Sequence, residues 1–527
     1  MPAVSARNAV LAAAAVVTLW PVLVTAMPPV LDYPNHVVRF WLLSGHIGSM
    51  SRFFAVDWSQ TATNIAMDAF AAVLGRVVSA PVAGRVILGL AAVLPPLGSV
   101  LLSRALFGRA NAWHVMVFLA GWSLVLLTGF MSLELSYGAA LLLALWRRDE
   151  QGGWARQLAL RAFDATIIGL IHPFGLLLYA AVGTGLIVGQ TFDVRSRPFW
   201  QGVWRPVLLL AGGLAVAAVL FLGLTALRSD DGGDGLPMPI WEGTILDQFS
   251  PDRLADMLLA PVRTYRLWPD VVFAVLFAAP VAVAAVMRRL AVHWGLLTVG
   301  GCVLLAVLVS PQDLGSTSMV DYRLMAMAAL ILPAAVLPEW NGRWRWEVAA
   351  CAVALTVLGA RSMWLTHVWA ERQADVASLR RALAHVPAGA RLLPVMTPVD
   401  DPDAEPEGRY LADITPTFEH LPTLAVIWRQ AYVPTVFAQP GKQPLSVQPP
   451  YDDTHEVSGG LLATPDDLAT QNGKADGFLP GWPSHFDYIV MVNADMPGAV
   501  RQLPGACRVD DEGYAVVWRV GACPVHK

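Results

Sequence analysis

The chain has 527 residues, 56% of them hydrophobic and 14% charged, with a mean hydropathy of +0.52. Soluble globular proteins carry about 25% charged residues, so this composition excludes a disordered chain and an ordinary cytosolic enzyme. With 36 Lys and Arg against 40 Asp and Glu, the net charge of −4 leaves no basic surface for nucleic acid.

Up to about Trp364 the apolar residues form runs of about 15–25, long enough to cross a hydrocarbon core of about 30 Å. The first, Asn8 to Met27, follows Arg7 and reads as a retained crossing, although Val24-Thr25-Ala26 resembles a signal-peptide cleavage site. Further crossings are predicted near 82–103, 112–130, 133–146, 157–171, 173–190, 206–227, 269–287, 293–310, 322–338 and 346–364. That makes about 11 transmembrane helices. His172-Pro173 divides 157–190 into two short helices, because proline removes a helix hydrogen bond. Arg7, Arg104/Arg109, Arg147/Arg148/Arg156, Arg195/Arg197/Arg205, Arg288/Arg289 and Arg343/Arg345 fall in alternate connections. The positive-inside rule makes those connections and the N-terminus cytoplasmic. The connections 28–80, 228–268 and 311–323 and the C-terminal region then lie outside.

The first outer connection reads Pro28-Pro29-Val30-Leu31-Asp32-Tyr33-Pro34-Asn35-His36-Val37-Val38-Arg39-Phe40-Trp41. From about Asn35 it reads as helical, clustering His36 and Arg39 near Asp32, with Trp41, Leu42, Leu43 and Ile47 as an interfacial apolar face. Asp32 is either a helix-capping carboxylate or a reactive acid. Asp57-Trp58 and Asn64-Ile65-Ala66-Met67-Asp68 follow. In the second connection, 228–235 is acidic and glycine-rich but lacks EF-hand spacing, so it reads as a linker. Ser250-Pro251 starts a capped helix. Beyond it, Arg263, Tyr265 and Arg266 either bind an anionic head group or snorkel at the interface. The third connection ends in Asp321-Tyr322-Arg323, whose guanidinium suits a phosphate or a neighbouring acid such as Asp321. Glu134 and His172 sit near outer tips, where a polar group is costly unless it faces protein or a wet cavity.

From 366 the composition turns polar. His367 to His385 is predicted as an amphipathic helix, followed by strands Arg391–Met396, Tyr432–Phe437, Phe486–Val492 and Tyr514–Val520. Helices are expected at His420–Gln430 and Met496–Leu503, and long loops over 440–480. His420, His455 and His485 read as surface residues. Cys507 and Cys523 stand at the two ends of a hairpin-like segment, either bridged or as separate thiols. The fold class is thus a polytopic α-helical membrane protein, with a membrane domain over 1–365 and a C-terminal α/β extracytoplasmic domain over 366–527.

An acid directly after the first crossing, short paired central helices and an external C-terminal domain together resemble the GT-C superfamily. These are membrane glycosyltransferases that use polyprenyl-phosphate-linked sugars. The specific part of the likeness is Leu31-Asp32-Tyr33-Pro34-Asn35-His36 with Arg39, Trp58 and Asn64-x-Ala66-Met67-Asp68, similar to a bacterial subgroup with a DYPNH-type first loop. The resemblance implies sugar transfer on the outer face of a bacterial inner membrane, to an envelope glycan, lipid or protein acceptor. Asp32 would be the base, with His36 and Asp57 as further catalytic candidates. Arg39, Asp68, Glu134, His172, Arg263, Tyr265, Arg266, Asp321 and Arg323 would bind substrate. The second acid, Asp57 or Asp68, stands far from Asp32 in sequence, so no metal site is assigned and a divalent cation stays open. A transporter or flippase of a lipid-linked glycan, and a noncatalytic envelope assembly subunit, are the rival readings. A transporter would place its polar groups near the bilayer midplane.

Overall fold

In the computed structural model the described residues are 2–147, 152–193, 199–226, 239–240, 249–314, 317–339, 344–399, 401, 404–412, 415–439, 441–455, 462–470, 479–521 and 523. Arg148, Arg195, Arg197, Arg343 and the acidic stretch 228–235 lie outside them. The chain is mostly helical and divides into two compact units. One comprises Met1–Pro21, Ala62–Ala66 and Leu88–Leu365; the other comprises Val22–Thr61, Met67–Ile87 and Thr366–Lys527.

The first unit is a helical bundle. The helix Trp294–Val309 packs on Val320–Ala335 and on Phe174–Asp193, which in turn lies against Met131–Arg147. Phe199–Ala226 packs on Trp154–Ile171. Leu133, Leu141, Ile168, Val182, Leu330 and Ile331 are buried in one shared core. The helices come close where side chains are small: a Cβ on Gly138 would lie 2.6 Å from that of Leu94. The outward surface is apolar instead of charged, with Val219, Leu222, Val286 and Leu305 exposed. Such a surface suits lipid rather than water, and helices satisfy their own backbone there.

Among the described residues four helices are long and apolar enough to cross a membrane, within 80–107, 203–224, 267–286 and 345–383; shorter apolar helices occupy 8–24, 113–127, 174–190 and 294–309. The break at His172-Pro173 is present, between Trp154–Ile171 and Phe174–Asp193. Two expectations need correction. The segment predicted as a crossing over 112–130 is not one α-helix but Trp113–Met116, a 3-10 turn Val117–Trp122 and Leu124–Leu127. Ser123 is extended there, and its hydroxyl caps the Leu126 N–H, so the helix restarts. The last predicted crossing and the amphipathic helix after it form one 40-residue helix, Trp344–Leu383. No proline interrupts it, and Pro387 follows its end.

The second unit contains a four-stranded sheet in the order Ala506–Asp511, Val516–Val520, Tyr488–Val492, Leu392–Met396. The last two strands run parallel with Tyr488 opposite Leu392, and the other pairings are antiparallel. Leu392–Met396 is wholly buried, which explains its unbroken apolar run. Cys507 and Cys523 are joined as a disulfide beside the terminal hairpin. Phe54–Val56 pairs antiparallel with Leu445–Val447, tying the segment after the first helix to the C-terminal region. The predicted strand at 432–437 is reduced to a single bridge from Tyr432 to Arg391, since Pro434 supplies no ladder donor. The predicted helix at 496–503 is absent, and Pro497-Gly498, with Gly498 at φ +87°, explains the turns found there.

Candidate active site

Asp32 follows a tight turn in which the Val30 N–H donates to the Pro28 carbonyl at 2.9 Å and the Tyr33 N–H to the Val30 carbonyl at 3.1 Å. It then occupies the N-cap position of the helix Tyr33–Trp41, yet its side chain makes no capping bond. Two local features disfavour it. A capping carboxylate needs extended backbone and the N–H of the second or third helical residue. Asp32 is already helical (φ −81°, ψ −7°), and the second residue is Pro34, which has no N–H. The carboxylate turns elsewhere, and its Oδ1 lies 3.4 Å from Nε2 of His420.

His420 is buried, which corrects its reading as a surface residue; His455 is buried too, its Nε2 2.8 Å from the Val436 carbonyl. The other side of the His420 ring meets Asn35. The Asn35 Oδ1 accepts from the Phe437 N–H at 2.7 Å, and its Nδ2 donates to the Thr435 carbonyl at 2.7 Å. Nδ2 also lies 3.4 Å from Nδ1 of His420. Phe437 packs edge-on against His420 at 4.9 Å and against His36 at 5.9 Å. Burial alone lowers the His420 pKa. The hydrogen bond to Asp32 and the charges of Glu419 and Asp32 outweigh it, leaving the pKa above the ordinary histidine value.

His36, Arg39 and Asp68 form the adjoining chain. Arg39 Nη2 stands 3.0 Å from His36 Nδ1, and Arg39 Nε donates to Asp68 Oδ1 at 2.9 Å, all three residues being buried. Burial pushes the Asp68 carboxyl up and Arg39 pulls it back. Asp68 is therefore an internal ion-pair partner. Asp57 is an exposed turn-former, accepting from the Ser59 N–H at 2.8 Å and hydroxyl at 2.6 Å. The expected interfacial face after Arg39 is also corrected, because Leu42 and Leu43 are buried. The helix turns at Gly45, whose φ of +119° an L-residue rarely adopts.

The other candidates lie in the helical unit. Arg323 is held by its Nε donating to the Ser318 carbonyl at 2.9 Å, and its guanidinium lies over the rings of Phe130 at 4.1 Å and Phe174 at 5.4 Å. Its Nη1 is 3.5 Å from His172 Nε2. The Phe174 N–H donates to His172 Nδ1 at 3.2 Å, so the neutral ring carries its proton on Nε2 and presents a second donor beside Arg323. The Tyr137 hydroxyl braces this turn by donating to the Arg323 carbonyl at 3.0 Å. Asp321 does not take Arg323; Arg253 and the Tyr322 N–H engage it. Glu134 is buried and accepts from the Ser123 hydroxyl at 3.2 Å.

Arg263 lies 3.6 Å from Asp270, which also faces Arg361 at 3.6 Å and accepts two bonds of 2.7 Å from Thr264. Tyr265 is buried against Trp364, and Arg266 is half-buried at the N-cap of the helix Leu267–Val286. Arg263 is thus part of an internal ion cluster. The participants not singled out from the sequence include His420, Asp270 and Arg361. Arg361 carried a signal, since an arginine inside an apolar run is costly without partners. His420 carried none, because Asp32 is remote in sequence. Among the described residues no group of three or more His, Cys, Asp and Glu side chains gathers in a metal-binding arrangement.

Comparison with solved structures gives this mostly helical chain an ArnT-like fold. The crystal structure of ArnT from Cupriavidus metallidurans bound to undecaprenyl phosphate matches with a TM-score of 0.51 and 13% identity, covering 97% of both chains. The same protein in its apo state matches with a TM-score of 0.50 and 14% identity, over 98% of both. No protein-family model and no curated protein matches the sequence.

Proposed function

We propose that the chain is a GT-C-type membrane glycosyltransferase of the bacterial inner membrane. It would take a sugar from a polyprenyl-phosphate-linked donor and pass it to an envelope glycan, lipid or protein acceptor on the outer face. The observation that carries this reading is the fold likeness, over 97% of both chains, to a protein solved with undecaprenyl phosphate. In this proposal the N-terminus is cytoplasmic and the region from 366 is periplasmic.

Asp32 is the proposed base. It would orient the acceptor hydroxyl and take its proton as the sugar leaves its phosphate. The failure of Asp32 to cap its own helix supports the role, because its carboxylate is not engaged by the backbone N–H groups of the first turn. Arg323 and His172 are the proposed phosphate ligands within their own unit. Two N–H donors 3.5 Å apart are satisfied together by one anionic oxygen, and charge-assisted bonds of this kind are the strong ones. Both would stabilise the charge that grows on the leaving phosphate.

The test is Asp32→Asn in purified, bilayer-reconstituted protein, assayed for transfer from a polyprenyl-phosphate-linked sugar. The expected result is a fall of about 10²–10⁴ in turnover with an unchanged unfolding midpoint. Undiminished turnover in the folded variant sinks the assignment of the base.

A further inference from the structure

The ring of His420 is specified on both nitrogens, although it belongs to no assigned step. On one side the Asn35 carboxamide has a fixed orientation. Its oxygen is taken by the Phe437 N–H, and its amide nitrogen donates to the Thr435 carbonyl. The amide hydrogens are all that Asn35 can present to His420 Nδ1 at 3.4 Å, so that nitrogen is the acceptor in the neutral ring. The ring proton then resides on Nε2, and Nε2 faces Asp32 Oδ1 at 3.4 Å. Phe437 packs edge-on against the ring and limits its rotation.

We infer that His420 is the positioning residue for Asp32, with Asn35 selecting the tautomer that donates from Nε2 to the carboxylate. This rests on the reading of Asp32 as base. A carboxylate released from helix capping rotates about two side-chain bonds, and one fixed donor removes that freedom. The same donor holds one oxygen and leaves the other to face an acceptor hydroxyl. Asn35 and Asp32 come from one short segment, and His420 comes from the C-terminal region. The C-terminal region would thus supply a member of the reaction centre instead of merely covering it.

Two measurements test the inference. In the first, transfer from a polyprenyl-phosphate-linked sugar is followed in His420→Phe and His420→Gln. The phenyl ring fills the space without a donor, whereas the glutamine amide places an N–H near the Nε2 position. His420→Phe is expected to lower kcat by about 10²-fold, the cost of a misplaced group, with KM nearly unchanged and His420→Gln recovering much of the loss. Unchanged kcat in His420→Phe overturns the inference, and so does an equal loss in both variants, which would mark a packing role. The second uses ¹⁵N-histidine NMR carried up the alkaline limb until the His420 shifts stop changing, so that the ring is neutral despite its raised pKa, with the His420 signal identified by its loss in His420→Gln. A proton on Nε2, with a shift that changes in Asp32→Ala, is expected; a proton on Nδ1 overturns the inference. Absence of transfer by the unmodified protein would count against the proposed function, while the NMR result would still judge the pairing.

Discussion

In the helical unit a single carboxylate, Asp270, lies 3.6 Å from each of two guanidiniums, Arg263 and Arg361. In the other unit a single guanidinium, Arg409, faces Asp375 at 2.9 Å, Asp495 at 2.7 Å and Glu405 at 3.6 Å. The two clusters carry opposite surpluses and relieve them by different means. Around Asp270 the surplus is positive, and Arg361 sends both 2.9 Å bonds of its Nη2 to backbone carbonyls, those of Trp122 and Val262. Those carbonyls belong to the broken segment 113–127 and the connection after 259, where irregular backbone offers acceptors that a continuous helix would keep for itself. Around Arg409 the surplus is negative. Asp495 reaches solvent, with 37% of its side chain exposed. Burial pushes the Glu405 carboxyl up, towards the neutral form, although the Asn493 amide and Arg409 pull the other way. A cluster within an apolar bundle leans on backbone dipoles, and one near water leans on solvent and protonation.

Substitutions can break this contrast, and the largest effect is expected at Arg409. Arg409→Met removes the cation beside buried Glu405 and one of the two that flank Asp375, Arg372 standing 2.8 Å from it, and should cost about 3–5 kcal/mol, read as a lowered unfolding midpoint of the full chain in detergent. Asp270→Asn is the milder counterpart. Asparagine keeps one acceptor for Thr264 and loses the other together with the charge, but the surrounding carbonyls still hold Arg361, so about 1.5–3 kcal/mol is expected from the same measurement. Equal losses at the two sites would contradict the different means of relief.

The smallest effect is expected at a surface pair, Arg391 with Asp487, whose Oδ1 lies 2.7 Å from Nη2. Partial burial raises the Asp487 carboxyl, but the hydrogen bonds and charge of Arg391 outweigh it and hold it below the ordinary aspartate value. A carboxyl lowered in the folded state stabilises the fold above its unfolded pKa and loses that contribution as pH falls through the folded one. The window therefore lies below about pH 4. Because Asp487 is 42% exposed, screening limits the contribution to about 0.2–1 kcal/mol. Comparing the acid limbs of the unfolding curves of the native chain and Asp487→Asn measures it, and a difference persisting at neutral pH in excess of that range would contradict the assignment.

Apolar period and punctuation predicted helices at 82–103, 133–146, 157–171 and 173–190, found as Ala80–Phe107, Met131–Arg147, Trp154–Ile171 and Phe174–Asp193, and the split at His172-Pro173, because helix formation is local and proline acts on its own turn. They misread 112–130, where hydropathy alone does not register a backbone break set by Ser123 and by close packing at Gly121. They also divided Trp344–Leu383, since a change from apolar to polar faces looks like an end although no breaker is present.

The candidate site divides in the same way. The sequence by itself picked out Asp32 and left open whether it caps a helix, which the helical backbone at Asp32 then decided against. The sequence also clustered His36 and Arg39 near Asp32 at one end of a short helix, because neighbours in sequence share a turn. Only the tertiary structure decided where the freed carboxylate turns, which is to His420. It likewise decided that Asp68 belongs to Arg39, that Asp321 belongs to Arg253, and that Arg263 shares Asp270 with Arg361. A residue's local conformation is set by its neighbours in the chain, whereas the partner of a buried charge is set by which distant groups folding leaves beside it once water is gone.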